Sequence, residues 1–299
     1  MTLGNTTAID CHQHLWPPEF LEALRTRREP PFLEGWRLHT AGEAAYAVDP
    51  ATHDVQARRE RERTLGVGLV GLSLSSPLGI EYCTAPEAEK LIDAWHRGAL
   101  ALGDPFRVWA APVLKSSDLT SLTEVLMEDR VCGLQVPADA MLTPDALKRL
   151  SPFLKVAESI GKPVLVHPGA APSAPGTPSW WPALVPYVSQ MQASWFSWHA
   201  VGRQHHPDLR IGFVALAGLA PLNHERLTAR GGEFGQVDPQ IYYETSSYTC
   251  DAIRAMADVV GPGQLINGSD FPYAETVDPG LGEKFTASYC CQAPTRFLS

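Results

Sequence analysis

Three histidines and one aspartate stand where short apolar segments of the chain end. His12 and His14 form an H-x-H pair at the end of the first such segment. His167 ends the fifth segment, and Asp270 ends the eighth. Residues i and i+2 of a strand point to the same side, so both imidazoles of the pair can approach one cation. Three imidazoles and a carboxylate suit a divalent first-row metal, with Zn²⁺ preferred, so the pattern predicts a site made of His12, His14, His167 and Asp270.

Eight short apolar segments alternate with longer amphipathic segments. The predicted strands cover residues 7–12, 67–74, 106–113, 131–136, 163–167, 210–216, 241–246 and 264–269. The predicted helices cover residues 53–65, 85–101, 118–129, 144–160, 182–205, 222–230, 251–260 and 282–291. Such alternation is typical of an α/β protein with a parallel sheet covered by helices. The 299 residues allow about 37 for each strand and helix pair, so we expect one distorted (β/α)₈ TIM barrel over residues 1–299.

Two connections are longer than a barrel requires, residues 15–52 after the first strand and residues 168–181 after the fifth. Long βα loops lie at the C-terminal face of a barrel, where they shape the active site. Arg37 in the first loop is a candidate to pair with a substrate carboxylate. The other predicted substrate contacts are His39, Trp180 and Trp181. For Arg37 a solvated loop charge is the alternative, and for the tryptophans it is packing beneath the loop.

Composition and charge exclude several classes of function. The formal net charge is −9 and no dense basic block occurs, which disfavours binding to nucleic acid. No segment reaches the ~20 apolar residues of a membrane span, and the first residues lack a secretory pattern, so we expect a cytoplasmic protein that acts on a small molecule. The alternating Arg and Glu residues of the segment 58–63 predict a solvated helix face.

Several motifs resemble the amidohydrolase superfamily, in the branch that contains aminocarboxymuconate-semialdehyde decarboxylase. They are Ile-Asp-Cys-His-Gln-His at 9–14, Val-Leu-Val-His-Pro-Gly at 164–169 and Gly-Ser-Asp-Phe-Pro-Tyr at 268–273. The resemblance runs over essentially the whole chain, including residues 242–247. It implies a distorted barrel with one metal, usually zinc, held by His12, His14, His167 and Asp270. It also implies small carboxylated substrates and a homodimer, and the absence of lysine from residues 132–136 implies a single metal ion.

One position departs from that branch. Ala215 stands where the branch usually has a histidine at the end of the sixth strand, and in the decarboxylases this histidine helps to activate water or move a proton. Its absence favours a metal-dependent hydrolase, in which metal-activated water attacks an amide, lactone or related carbonyl and Asp270 shuttles the proton. Two alternatives stay open, a metal-dependent decarboxylase and a non-catalytic binding protein that has kept the barrel.

Overall fold

The computed structural model describes residues 7–172 and 174–299. The strands in these residues are β1 (Ala8–Gln13), β2 (Phe32–Glu34), β3 (Arg37–His39), β4 (Tyr46–Ala47), β5 (Val67–Leu72), β6 (Phe106–Ala110), β7 (Val131–Pro137), β8 (Val164–His167), β9 (Ile211–Phe213), β10 (Ile241–Glu244) and β11 (Leu265–Ile266). The helices are α1 (Pro18–Arg25), α2 (Val55–Leu65), α3 (Ala85–Ala101), α4 (Thr120–Leu126), α5 (Pro144–Ser159), α6 (Trp181–Leu184), α7 (Pro186–Ser197), α8 (Arg203–His205), α9 (His224–Ala229), α10 (Cys250–Val260), α11 (Glu283–Ala287) and α12 (Ala293–Leu298).

Eight parallel strands form the barrel in the order β1-β5-β6-β7-β8-β9-β10-β11. The ring closes between β1 and the segment after β11. There the amide of Cys11 donates to Asn267 O at 2.9 Å, and the amide of His14 donates to Phe271 O at 2.7 Å. All seven residues of β7 are buried, because a strand of a parallel barrel packs on side chains at both faces. The predicted (β/α)₈ barrel is therefore confirmed.

All eight predicted strands are present, although several are shorter than expected. The sixth barrel strand was expected to reach residue 216, but β9 ends at Phe213 because the next residues enter a left-handed turn. The predicted cap of α5 is confirmed, since Thr143 Oγ1 accepts the amide hydrogen of Ala146 at 3.2 Å. The extent of a single domain over residues 1–299 stays a prediction.

The first long connection contains regular structure that the sequence did not predict. Helix α1 begins with a proline in its first turn and buries Phe20, Leu21 and Leu24, which lie on one face of the helix. Strands β2, β3 and β4 follow as a small antiparallel sheet. The loop between β3 and β4 passes very close to the fifth βα loop, because a Cβ added to Gly42 would lie 1.9 Å from Ala171 O. The two long loops therefore meet above the barrel.

Within the described residues, no helix is both long enough and apolar enough to cross a membrane.

Candidate active site

The four predicted metal ligands meet at the C-terminal end of the barrel. His12 and His14 come from the end of β1, His167 is the last residue of β8, and Asp270 follows β11. One ligand atom from each lies within 4.8 Å of all the others. Nε2 of His12 lies 3.1 Å from Nε2 of His14, and Asp270 Oδ1 lies 3.0 Å from the latter and 3.6 Å from the former. Ligand atoms bound at ~2.0–2.2 Å to one ion lie roughly 2.9–3.6 Å apart, so this spacing suits one divalent metal.

Hydrogen bonds to the other ring nitrogens set the direction of the histidine lone pairs. His14 Nδ1 lies 2.9 Å from Ser73 O, and His167 Nδ1 lies 2.9 Å from Pro168 O. A carbonyl only accepts, so each Nδ1 carries the hydrogen and each Nε2 presents a lone pair to the cluster. Two lone pairs that face each other at close range repel unless a cation lies between them. The donor set thus fits a bound metal ion.

The pKa values of His14, His167 and Asp270 favour the protonation states that metal ligands need. Burial lowers the pKa of His14 and lowers the pKa of His167 well below its usual value, so both rings are neutral. Burial acts to raise the pKa of Asp270, but its close contact with His14 and the other neighbouring histidines lower it overall. Burial also opposes charge on His12, whose pKa is nevertheless raised by the carboxylates of Glu244 and Asp270.

A fully buried carboxylate supports His12 from behind. Glu244 in β10 places Oε2 at 3.5 Å from His12 Nδ1, which has no hydrogen bond of its own. The same carboxylate accepts hydrogen bonds from the amide of Ala215 at 3.1 Å and from the hydroxyl of Ser246 at 2.8 Å. A carboxylate behind a ligating imidazole fixes the ring orientation and increases its basicity. Glu244 is thus a positioning residue that the sequence did not single out.

Arg58 supports the backbone of His14 at the other end of the H-x-H pair. The predicted solvated helix face is therefore wrong for Arg58, and it is also wrong for Glu62. Arg58 is 2% exposed, and its Nη1 donates to His14 O at 2.7 Å and to Thr52 O at 3.0 Å. Its Nη2 donates to the side chain of Gln13 at 2.5 Å. Arg58 and Glu62, four residues apart, share the buried face of α2. The i, i+4 spacing of the two residues is visible in the sequence, but their charges predict exposed side chains.

A left-handed turn follows the sixth barrel strand. Ala215, Leu216, Ala217, Gly218 and Leu219 all have positive φ, from 48° to 63°. This conformation costs ~1–2 kcal/mol for each residue other than glycine, so the surroundings must hold it in place. Glu244 binds the first amide of the turn, and Gln192 donates to Gly218 O at 2.7 Å. The turn places Ala215 at the wall of the cavity described next.

A cavity of about 900 Å³ opens above the four ligands. Residues 40–46 of the first long connection, together with Pro172 and the proline-rich segment 174–188, form its roof, and Ala215 and Val214 lie in its wall. Among the described residues that line the cavity there is no lysine or arginine. The roof contributes Glu43, Tyr46 and Tyr187, which the sequence did not single out because their places depend on contacts between two distant segments and not on a repeating pattern.

The structure brings only one of the four predicted substrate contacts to the cavity. Trp181 lines it, whereas Trp180 is 54% exposed and lies outside the lining. Arg37 lies on the exposed side of β3 and donates to Ala45 O at 2.8 Å, because the hairpin register points it away from the barrel. His39 stacks on Phe32 at a ring distance of 4.3 Å and also lies outside the cavity.

No family model and no curated protein matches the chain, but solved structures resemble it closely in fold. 5-Carboxyvanillate decarboxylase LigW from Sphingomonas paucimobilis has a TM-score of 0.77 at 17% identity, over 98% of this chain and 99% of that one. A 2,6-dihydroxybenzoate decarboxylase complexed with 2,6-dihydroxybenzoate has a TM-score of 0.70 at 17% identity, over 98% and 99%. The Novosphingobium aromaticivorans enzyme LigW2, solved with manganese as its D314N mutant, has a TM-score of 0.75 at 14% identity, over 98% and 97%.

These comparisons overturn one sequence-based expectation and support the coarser part of another. The predicted hydrolase is contradicted, because the similar structures are decarboxylases. The inference from Ala215 failed because one missing histidine does not decide the reaction when Asp270 still reaches the cavity. A divalent metal is supported by the ligand cluster, but the preference for zinc is not, since manganese is present in a similar structure. The chain therefore has the barrel fold of these decarboxylases.

Proposed function

We propose that this protein is a metal-dependent decarboxylase of small aromatic carboxylic acids. The observation that carries the proposal is the cluster of His12, His14, His167 and Asp270 at the base of a largely apolar cavity. The decarboxylases with the same fold support it, because the substrates and ligands named for them are substituted benzoic acids.

The cluster fits a divalent ion, which when bound supplies positive charge that holds substrate oxygens and stabilises negative charge on the substrate as carbon dioxide leaves. The four ligands hold that charge at one end of the cavity. No described lining residue is a lysine or arginine, so no basic side chain competes for the substrate carboxylate. The apolar walls replace water around this carboxylate and favour its loss as neutral carbon dioxide.

Asp270 is the residue to which we assign the proton transfer. Decarboxylation breaks the bond between the ring carbon and the carboxylate, leaves the electron pair on the carbon, and requires one proton there. Asp270 is 21% exposed, and it approaches the histidines through Oδ1, leaving Oδ2 for a proton. Its lowered pKa keeps the carboxylate ionised at rest, so the proton that it delivers to the ring carbon is supplied by solvent in each turnover.

The proposal is tested by carbon dioxide release from a panel of hydroxylated benzoic acids, with protein loaded with manganese or zinc. We expect release with at least one acid, loss of release after chelation, and one deuterium on the product carbon in D2O. Asp270→Asn should abolish release, while Arg37→Ala, a change outside the cavity, should retain it. A metal-loaded protein that releases no carbon dioxide from any acid of the panel would overturn the proposal.

The homodimer stays a prediction that sedimentation can test.

A further inference from the structure

The cavity has more room than a single benzoate ring requires. Its volume of about 900 Å³ lies near the upper end of the ~300–1,000 Å³ typical of pockets for drug-sized ligands. The metal ligands occupy only its base, and residues of the roof line much of the remainder, which opens to solvent. A ligand that fills the cavity therefore extends well beyond the group held at the metal site.

Four of the polar side chains that line the cavity beyond the metal ligands lie close together. The hydroxyl of Tyr187, at the start of α7, donates to Oε1 of Glu43 in the first long loop. Tyr46 and Tyr273 are near enough for each to raise or lower the pKa of the other. The ring of Tyr273 lies 5.4 Å from that of His14, in an edge-to-face arrangement. The cluster thus extends from the side of a metal ligand to the roof of the cavity.

The charge of this cluster selects the kind of group that can bind beside it. Apart from the metal ligand Asp270, Glu43 is the only carboxylate among the described lining residues, and no lysine or arginine lies near it in the lining. Only one of its oxygens has a hydrogen bond within the described residues. A hydroxyl or amino group can donate to the other, whereas a second carboxylate on the ligand would be repelled. Burial raises the pKa values of Tyr46 and Tyr187, so both hydroxyls stay protonated. The hydrogen of Tyr187 is donated to Glu43, so Tyr187 can accept from a ligand, while the hydroxyl of Tyr46 can donate to one.

We propose that Glu43, Tyr46, Tyr187 and Tyr273 form a second recognition subsite. It takes a hydroxyl or amino group at the far end of an elongated aromatic acid, whose carboxylate lies at the metal site. This inference rests on the proposed function for the placement of the carboxylate. It adds that the substrate is longer than one ring and has a hydrogen-bond donor, rather than a second acid, at its other end.

The test measures binding rather than turnover, by calorimetry with manganese-loaded protein. The ligands are matched pairs of increasing length: benzoate and 4-hydroxybenzoate, 2-naphthoate and 6-hydroxy-2-naphthoate, and biphenyl-4-carboxylate with its 4′-hydroxy derivative. Biphenyl-4,4′-dicarboxylate tests the exclusion of a second acid. We expect the hydroxyl to increase affinity about tenfold at one of the two longer lengths, as for a hydrogen bond to a charged group. The dicarboxylate should bind more weakly than the plain biphenyl acid.

Glu43→Gln should reduce the advantage of the hydroxyl to under about threefold and lessen the exclusion of the dicarboxylate. Tyr187→Phe should weaken the hydroxylated ligand and leave the plain acid unchanged. Glu34→Gln, the same change at an exposed carboxylate of β2 outside the cavity, is the matched control and should change neither. Metal titration of Glu43→Gln should equal that of the wild type, which separates a local effect from damage to the fold.

An equal affinity for both members of every pair would overturn the subsite, as would no binding by any acid, or a hydroxyl preference that Glu43→Gln leaves intact. The proposed function fails separately. A protein that shows the hydroxyl preference but releases no carbon dioxide supports the subsite and contradicts the proposed decarboxylase. A protein that releases carbon dioxide but shows no hydroxyl preference supports the decarboxylase and contradicts the subsite.

Discussion

The base of the cavity and its roof are built in different ways. The base consists of strand ends, and its three histidines are at most 6% exposed. The backbone hydrogen bonds between barrel strands fix their main chain. Glu244 supports the side chain of His12, and Arg58 supports the carbonyl of His14. The roof consists of two loops, joined through Glu43 and Tyr187 and by the close approach at Gly42.

The two regions differ in what fixes the positions of their residues. Strand ends of a barrel meet at one face whatever the loops do, so residues at those ends are placed together by the fold itself. Loop residues meet only through their own contacts. The base therefore determines which chemistry is available, and the roof determines which molecule receives it. A substitution in the base or at the cavity wall should therefore have an effect that a matched substitution elsewhere does not have.

The largest effect is expected from loss of a ligand in the base. His12→Ala should remove metal and activity, with a loss of metal affinity beyond the roughly 10–100-fold seen when a supporting group is removed. Metal content by elemental analysis measures it. His39→Ala is the matched control, since His39 lies outside the cavity and should keep full metal content. Stoichiometric metal in purified His12→Ala would show that the cluster is not the metal site.

Removal of the carboxylate behind His12 should have the next largest effect. Glu244→Gln should weaken metal binding by about 10–100-fold, because the imidazole loses its anionic partner while the shape of the side chain is kept. Metal titration measures this loss, and Glu60→Gln, on the exposed side of α2, should leave affinity unchanged. An unchanged affinity in Glu244→Gln would mean that the backbone hydrogen bonds between barrel strands alone orient His12.

Arg58→Met tests whether the base depends on its buried guanidinium. The substitution leaves the carbonyl of His14 and the side chain of Gln13 without their donor, so we expect a loss of about 2–4 kcal/mol in the free energy of unfolding. Urea unfolding of the metal-free protein gives the value. The same change at Arg63, which is 74% exposed, should cost no more than about 0.5 kcal/mol. Equal losses for the two variants would contradict the supporting role of Arg58.

The smallest predicted effect is a gain in stability at the cavity wall. Ala215→Gly relieves a positive φ at the first residue of the left-handed turn, so we expect about 0.5–1 kcal/mol of added stability. The opposite sign is expected for Ala257→Gly inside α10, which should cost about 1 kcal/mol. Thermal unfolding of both variants shows whether the turn stores strain. Destabilisation by Ala215→Gly would show that the turn is not strained there.

The sequence predicted the base far better than the roof. Strand periodicity and the positions of His12, His167 and Asp270 at strand ends were enough to predict that the candidate metal ligands meet at one face of the barrel, because side-chain direction on a strand follows from its register. Trp180 and Trp181 show the limit: they are adjacent, yet only the second lines the cavity. Nothing local distinguishes them, because a loop has no repeating geometry.

Arg58 and Ala215 show two further limits. Arg58 lies on a helix whose charge pattern suggested exposure, and its burial became clear only from the carbonyl of His14 that it satisfies. At Ala215, the inference of a hydrolase rests on a single side chain that the resemblance leads one to expect and the chain lacks. The neighbouring folds and the position of Asp270 outweigh that inference.

The closure of the barrel between β1 and the segment after β11 also has a consequence for synthesis. The H-x-H pair is synthesised well before Asp270, because the first and the last strands of the ring carry these ligands. Until that segment pairs with Cys11 and His14, the nascent chain can offer an ion at most three imidazoles. Complete metal binding is therefore a late event that reports a finished ring, and the metal would stabilise only chains that have closed it.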